Sequence, residues 1–575
     1  MFYWFRDAKV RKKSEIAKCF YEFNTILTYW AFFLIHVNIF CYVIVISYLC
    51  RVIIKSSMAL VKMQLSPYQV DIFNEVENGD GNIAINAVAS SGKTTTIVMA
   101  CKRLHLHERD VKFLAFNRLI AEELKEKLKG YADVSTLHAF GFSILKKLYN
   151  HPEYKMYVKV DSWKYQKYVR QNVYALSNIV TPDTSAAKVW GFSCNVQKLF
   201  DLARVNLIQH GEIKRLQNLC DEHNILCLFD EVKVCDILLE DAYKMPKDLV
   251  IDYVDMVVLP LCHREHIPTF KYVFIDECQD LNTAQRELML CAAKGGRFIA
   301  VGDRNQAING FAGVDCNSFD KIANLGNTIE LPLSVNYRCG KNMVRLAQEL
   351  VPQIQAHKGA IDGEISHVNS LSTDLFREND MVLCRTSAPL VGLCMKLIQS
   401  GITAVVKGKD IAQDLQMLIE NANTKDITEV LAYLENEKQK LIATIKSDRK
   451  CTEAEAKQAQ KYLNLEDRCK CIENICLYSI KDTTELKSYV NRLFTDEKVE
   501  NAVMLSTAHK SKGLEANRVL ILLPNKLPLT WQNQLDWQLK QELNLKYVAL
   551  TRARKELVFI DLDEQSLLKA TIAKC

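Results

Sequence analysis

Glycine and proline are scarce in this chain, 20 and 11 among 575 residues. So low a content leaves little room for a long flexible linker and excludes a fibrous, glycine-periodic architecture. From Ile411 through Glu500 neither residue occurs. Net charge is also small, +6, and it is unevenly placed. The first 62 residues hold nine bases (Arg6, Lys9, Arg11, Lys12, Lys13, Lys18, Arg51, Lys55, Lys62) against three acids (Asp7, Glu15, Glu22). Taking nine from the 74 bases and three from the 68 acids leaves 65 of each in the remainder. Bulk positive charge is therefore not the means by which the body of the chain binds anything. The 20 cysteines lack the dense spacing of a disulfide framework and are expected to be reduced, structural thiols. Cys469, Cys471 and Cys476 have no second CxxC pair or histidine at finger spacing, and Cys262, His263 and His266 make no better metal set. Internal repeats and low-complexity tracts are missing as well.

What remains is ordinary for a folded protein, with 49% hydrophobic and 25% charged residues. At roughly 100–200 residues per domain the length predicts about three to five units. One long uncharged run exists, Ile26 to Cys50. As a helix it would reach roughly 37 Å, enough to cross a bilayer. Three readings of it compete: a membrane anchor, a mistaken upstream start with Met58 or Met63 as the true one, and a buried helix. His36 and Asn38 near its middle weigh against a lone membrane helix.

From Asn82 the chain reads as a short apolar strand, a turn of small residues and a helix. Ala87 to Thr94 fits the phosphate-loop pattern [A/G]xxxxGK[S/T]. Small residues (Ala89, Ser90, Ser91, Gly92) let backbone N–H groups wrap phosphates, Lys93 reaches the β/γ oxygens, Thr94 can ligate Mg²⁺, and Thr95 follows in the first turn. A second apolar run, Phe270 to Ile275, ends in Asp276-Glu277-Cys278-Gln279-Asp280. Two carboxylates thus leave the C-terminal edge of a predicted strand, where parallel sheets bind ligands. Asp276 suits Mg²⁺ and Glu277 can polarise an attacking water, so hydrolysis of a nucleoside triphosphate is expected.

Further segments carry a resemblance. LSPYQ (Leu65 to Gln69), AVASSGKT, AFNR (Ala115 to Arg118), STLHAFG (Ser135 to Gly141), DECQD, VGDRNQAINGF (Val301 to Phe311), NYR (Asn336 to Arg338), LSTAHKSKGLE (Leu505 to Glu515) and YVALTRA (Tyr547 to Ala553) resemble, in order, the motifs of superfamily 1 DNA helicases of the UvrD/Rep/PcrA type. The resemblance spans roughly residues 64 to 560. It implies an α/β fold with two RecA-like P-loop motor domains on parallel sheets and two mainly helical inserted subdomains; the uncharged run 26–50 adds an N-terminal hydrophobic helix ahead of them. The expected boundaries are 1–62 for the N-terminal segment, 63–149 with 266–330 for the first motor domain, and 331–411 with 500–575 for the second. Insertions would occupy 150–265 and 412–499.

By the same resemblance, ATP and Mg²⁺ are the cofactors. Gln69 would read the adenine edge, Tyr337 stack on the base and Glu515 hold the ribose. Gln306 would sense the γ-phosphate, while Arg338 and Arg552 approach it from the second motor domain. Single-stranded or tailed duplex DNA would be the partner, moved along 3′→5′, with Asn117, Thr136, His138, Phe140, Phe311 and His509 as candidate contacts. Core packing is an open alternative for Phe140. Asn309, Ala312 and Ala516 depart from the family pattern by removing aromatic or charged groups near DNA, and Ser90 stands where glycine is frequent. A cytoplasmic location with DNA follows, with membrane attachment only through residues 26–50. A membrane-tethered nucleotide switch and an RNA-directed helicase are the competing readings.

Overall fold

The structure, a computed structural model, describes residues 65–569 apart from 185, 224, 226–228, 311–312, 314, 316, 479, 498 and 532–533. The 26–50 run, and with it the membrane expectation, lies outside the described residues, as does Phe311. Among the described residues no helix is long and apolar enough to cross a membrane. Among them also, no cluster of His, Cys, Asp or Glu is set to hold a metal ion, and Cys469 and Cys471 are buried on one helix.

Two parallel sheets organise the described residues from Ser66 to Lys569, which form one compact unit. The first contains β1 (Asn82–Ala87), β2 (Val111–Ala115), β3 (Asp133–Thr136), β4 (Tyr272–Ile275), β5 (Arg297–Gly302) and β6 (Thr328–Leu333), in the order β3-β2-β4-β5-β1-β6. The second contains β7 (Glu364–Val368), β8 (Met381–Cys384), β9 (Ala404–Lys407), β10 (Phe494–Thr495), β11 (Val503–Thr507), β12 (Ala516–Leu522) and β13 (Ala553–Ile560). Their order is β7-β13-β12-β8-β11-β9-β10. Every pairing in both sheets is parallel. Such strands are covered on both faces and so read as continuous apolar runs: all of β2, β5 and β8 is buried. These are the two RecA-like sheets expected from the sequence.

Helices fill the two long crossovers. Between β3 and β4, helices such as Lys164–Leu176, Ala186–Val205 and Phe229–Leu239 enclose a core of their own around Val169, Val196, Phe200, Leu216 and Val234. A buried arginine, Arg204, sits beside that core between Asp252 and Asp255. Between β9 and β10, helix Ile427–Arg449 starts on an Asp426 cap that accepts from the N–H groups of Thr428 and Glu429. With no glycine or proline to interrupt it, it runs for 23 residues. This second insertion does not stand apart. Leu415, Val430, Leu434, Ile472 and Val490 share one core with Val382, Leu393 and Leu505 of the second sheet's domain.

Candidate functional site

β1 delivers the chain into a loop that ends on Gly92, whose φ of +78° lies in the left-handed region glycine adopts at little steric cost. Helix Lys93–Arg103 begins there, so its first N–H groups and positive dipole end face the loop. The Ser90 and Ser91 hydroxyls are buried without a hydrogen-bond partner among the described residues. Orphaned donors around a helix N-terminus fit a bound phosphate chain. β4 ends beside this loop, and the two carboxylates take separate partners. Lys93 Nζ lies 2.9 Å from Glu277 Oε2, and the Thr94 hydroxyl donates to Asp276 Oδ2. A hydroxyl and a carboxylate are hard oxygen donors, the set Mg²⁺ prefers.

Electrostatics divide the carboxylates. Burial pushes Asp276 up, and the neighbouring Glu277 charge adds to it. Burial would raise Glu277 too, but Lys93 and then Lys512 outweigh it and hold the carboxylate well below its usual range. For Lys93, burial opposes the charge and loses to Glu277, Asp303 and Asp276, so the ammonium stays protonated. Glu277 has a φ of +54°, uncommon for a residue with a side chain, and such backbone strain gathers at functional sites. Its carboxylate also accepts from Gln279 Nε2 at 2.6 Å. Gln306 is buried and donates to Asp303 Oδ2 at 2.7 Å.

The second sheet's domain closes directly onto this loop. Asn336 Nδ2 donates to the Ala89 carbonyl at 2.8 Å, the Ala89 N–H donates to the Tyr547 hydroxyl at 2.9 Å, and Tyr337 N–H donates to the Ser90 carbonyl at 3.0 Å. Asn336 and Tyr547 are fully buried. Both stood inside the segments NYR and YVALTRA without a role being assigned to them. Membership of those segments was the available signal. Tyr547→Phe removes one oxygen and leaves a buried N–H unsatisfied, which should cost about 1–3 kcal/mol. The check is the thermal unfolding midpoint, and an unchanged midpoint would show that the bond contributes nothing net.

The remaining predicted residues fall into three groups. Tyr337 keeps an exposed ring, with His357 5.0 Å away between centroids, so a face is open for a flat base. Gln69 is buried in a capping box: its Oε1 accepts from Ser66 N–H and its Nε2 donates to Thr96 Oγ1, both at 3.0 Å. Reading adenine would require exchanging those bonds. Glu515 is paired with Arg338 and Arg554, and Arg338 also donates to the Thr551 carbonyl at 3.2 Å. Arg552 is buried among the carbonyls of Val548 and Leu514, and burial, with Arg338 close by, lowers its pKa to about 10, still a cation at neutral pH.

Among the nucleic-acid candidates, Asn117 and Thr136 sit just past β2 and at the end of β3, each capping the helix that follows. His138 is half-buried and burial lowers its pKa. Phe140 corrects the expectation of a base contact: at 3% exposure it packs in the core near Phe270, with Lys112 over its ring, and no face is left for a base. Aromatic burial in a helix-sheet core outweighed the motif position. His509 follows β11 and lines a cavity of about 450 Å³ together with Lys198, His223, Arg385, Lys461 and Trp537. That cavity joins both insertions to the second sheet's domain, and sequence reasoning named only His509 from it.

Comparison with known proteins agrees with this geometry. Residues 69–325 match the UvrD/REP helicase N-terminal domain and residues 406–564 the UvrD-like helicase C-terminal domain. The ATP-dependent DNA helicase PcrA of Staphylococcus aureus is 25% identical over 300 residues, 48% of this chain and 38% of that protein. F-box DNA helicase protein 1 of Schizosaccharomyces pombe is 25% identical over 317 residues, covering 51% and 34%. The ATP-dependent DNA helicase Rep of Buchnera aphidicola is 22% identical over 293 residues, covering 47% and 41%. The matched stretch thus spans between 34% and 41% of these relatives' own length. Two sheets of RecA type, a phosphate loop clamped between them and both domain models in register identify the chain as a member of the UvrD/Rep/PcrA-type family of superfamily 1 helicases.

Proposed function

We propose that the chain is an ATP-dependent DNA helicase or translocase, in which ATP hydrolysis drives 3′→5′ movement along single-stranded DNA and the opening of tailed duplexes. The observation that carries it is the two pairs Lys93–Glu277 and Thr94–Asp276 in the first sheet's domain, with Asn336, Tyr337 and Tyr547 of the second sheet's domain bonded to the same loop. Hydrolysis at such a site changes what the two sheets hold between them. Their relative movement is then available as a stroke.

In this reading the N–H groups after Ala89 and the Lys93 ammonium hold the phosphates. Thr94 and Asp276 hold Mg²⁺, which when bound neutralises charge on the phosphate oxygens. Glu277, kept ionised by its lysines, takes up proton density from the attacking water. Arg338 and Arg552 supply fixed cations from the second domain. The cavity with His509 supports a single-strand path. Its cations and tryptophan provide phosphate contacts and stacking faces while the chain's body stays neutral overall.

The test is unwinding of 3′-tailed and 5′-tailed duplexes, with ATP turnover followed in parallel. Opening of the 3′-tailed substrate and DNA-stimulated turnover are expected. Opening of only the 5′-tailed substrate would overturn the polarity, and turnover indifferent to DNA would overturn the function.

A further inference from the structure

We propose that Lys512 is a positioning residue through which the second sheet's domain sets the Glu277 carboxylate, with Asp280 and Gln279 as the intervening groups. The proposal rests on the ATP-turnover reading above and extends it to Asp280 and Gln279 and to a positioning role for Lys512.

Lys512 follows β11 in the second sheet, yet its ammonium crosses to the first: Nζ lies 2.5 Å from Asp280 Oδ2 and 2.8 Å from the Gln306 carbonyl. The Asp280 carboxylate is 1% exposed, so a cation on it replaces the water it has lost. Its other oxygen accepts from Asn309 Nδ2 at 3.0 Å. Asn309 is one of the positions that depart from the family pattern. Here it ties the segment after Gln306 to the same carboxylate.

Gln279 carries the contact onward. One amide nitrogen donates both to Asp280 Oδ2 at 3.1 Å and to Glu277 Oε2 at 2.6 Å. The amide oxygen accepts from Asp303 N–H at 3.0 Å, which fixes which end is the donor. Gly302 sits against that oxygen so closely that a Cβ there would lie 2.6 Å from it, so the side chain has no room to swing that way. Glu277 is thus held from one side by Lys93 and from the other by an amide whose oxygen is anchored by Asp303 and whose nitrogen is shared with Asp280. Withdrawing the second domain takes Lys512 from Asp280 and strands a buried carboxylate. Docking it restores the pair and steadies Gln279. Glu277 is then correctly aimed only when the two sheets are together, which ties hydrolysis to domain closure.

Steady-state ATP turnover of the full chain, with and without single-stranded DNA, tests this on Lys512→Met, Lys512→Arg and the double variant Lys512→Met with Asp280→Asn. Lys512→Met should lower kcat by about 10–100-fold with KM for ATP within about threefold, because what is lost is aim rather than binding. Lys512→Arg, which keeps the charge, should recover a large part of that loss. The double variant leaves no buried charge unpaired, so it should regain the wild-type unfolding midpoint without regaining kcat. Turnover within about twofold of wild type in Lys512→Met, a raised KM at unchanged kcat, or a double variant that regains midpoint and kcat together would each overturn the proposal. If Lys512→Met is too unstable to purify, the double variant alone decides. Wild-type turnover that ignores DNA would instead overturn the helicase reading, and the Lys512 comparison is then read on DNA-free turnover.

Discussion

Glu277→Gln is expected to lower ATP turnover by roughly 10²–10⁴-fold, the usual span for removing a positioned general base. The substitution keeps the shape of the side chain, and its amide oxygen can still accept from Lys93 and Gln279, which now lie 2.9 and 2.6 Å from the carboxylate. What disappears is the negative charge that Lys93 and Lys512 stabilise. Nucleotide binding should survive, since the loop from Ala89 to Thr94 is untouched. Phosphate release at saturating ATP, beside equilibrium binding of a non-hydrolysable analogue, separates the two. Lys93→Ala is the companion, and it should lose both turnover and affinity because it removes the cation facing the phosphates. Turnover within tenfold of wild type in Glu277→Gln would mean that another group activates the water.

Arg204→Met should be the most damaging change away from the nucleotide. Its side chain is fully buried, and its guanidinium meets Asp252 at 2.6 Å, Asp255 at 2.7 Å and Asp201 at 2.6 Å, with Phe200 and Tyr165 rings 4.2 and 4.5 Å from it. Methionine would fill part of the volume but leave three carboxylates facing one another, with Lys164, 3.3 Å from Asp255, as a nearby cation. Breaking a buried pair from one side costs about 3–5 kcal/mol. The loss is local to the first insertion, so amide hydrogen exchange across helices Ala186–Val205 and Asp255–Leu261 should speed up by about 10²–10⁴-fold. Protection unchanged from wild type would show that the acids are neutralised without help. Asp252→Asn together with Arg204→Met should restore part of the protection.

The nucleotide site was the most legible part because its pieces are short and local. Ala87 to Thr94 is one strand-loop-helix stretch, and Asp276 and Glu277 follow directly on β4, so sequence neighbours already share the site. The strands were legible for a related reason: buried parallel strands show as apolar runs, as at Met381–Cys384. Legibility failed where a residue had two plausible environments. Gln69 lies in a motif and also completes a capping box with Ser66 through its amide oxygen, while its amide nitrogen donates to Thr96. Phe140 could have faced a base or the core, and its motif position did not say which.

Residue order was enough to establish the family, the phosphate loop, the paired carboxylates and the two-sheet plan, since each depends on local pattern or on motif order. The clamp on the loop needed the folded chain. Asn336 reaches Ala89 across 247 residues and Tyr547 across 458, and Lys512 meets Asp280 across 232. Contacts at such separation arise only when two independently patterned sheets pack, because their geometry is set by the burial of both cores and by the need to satisfy buried polar groups, not by any neighbour in the chain.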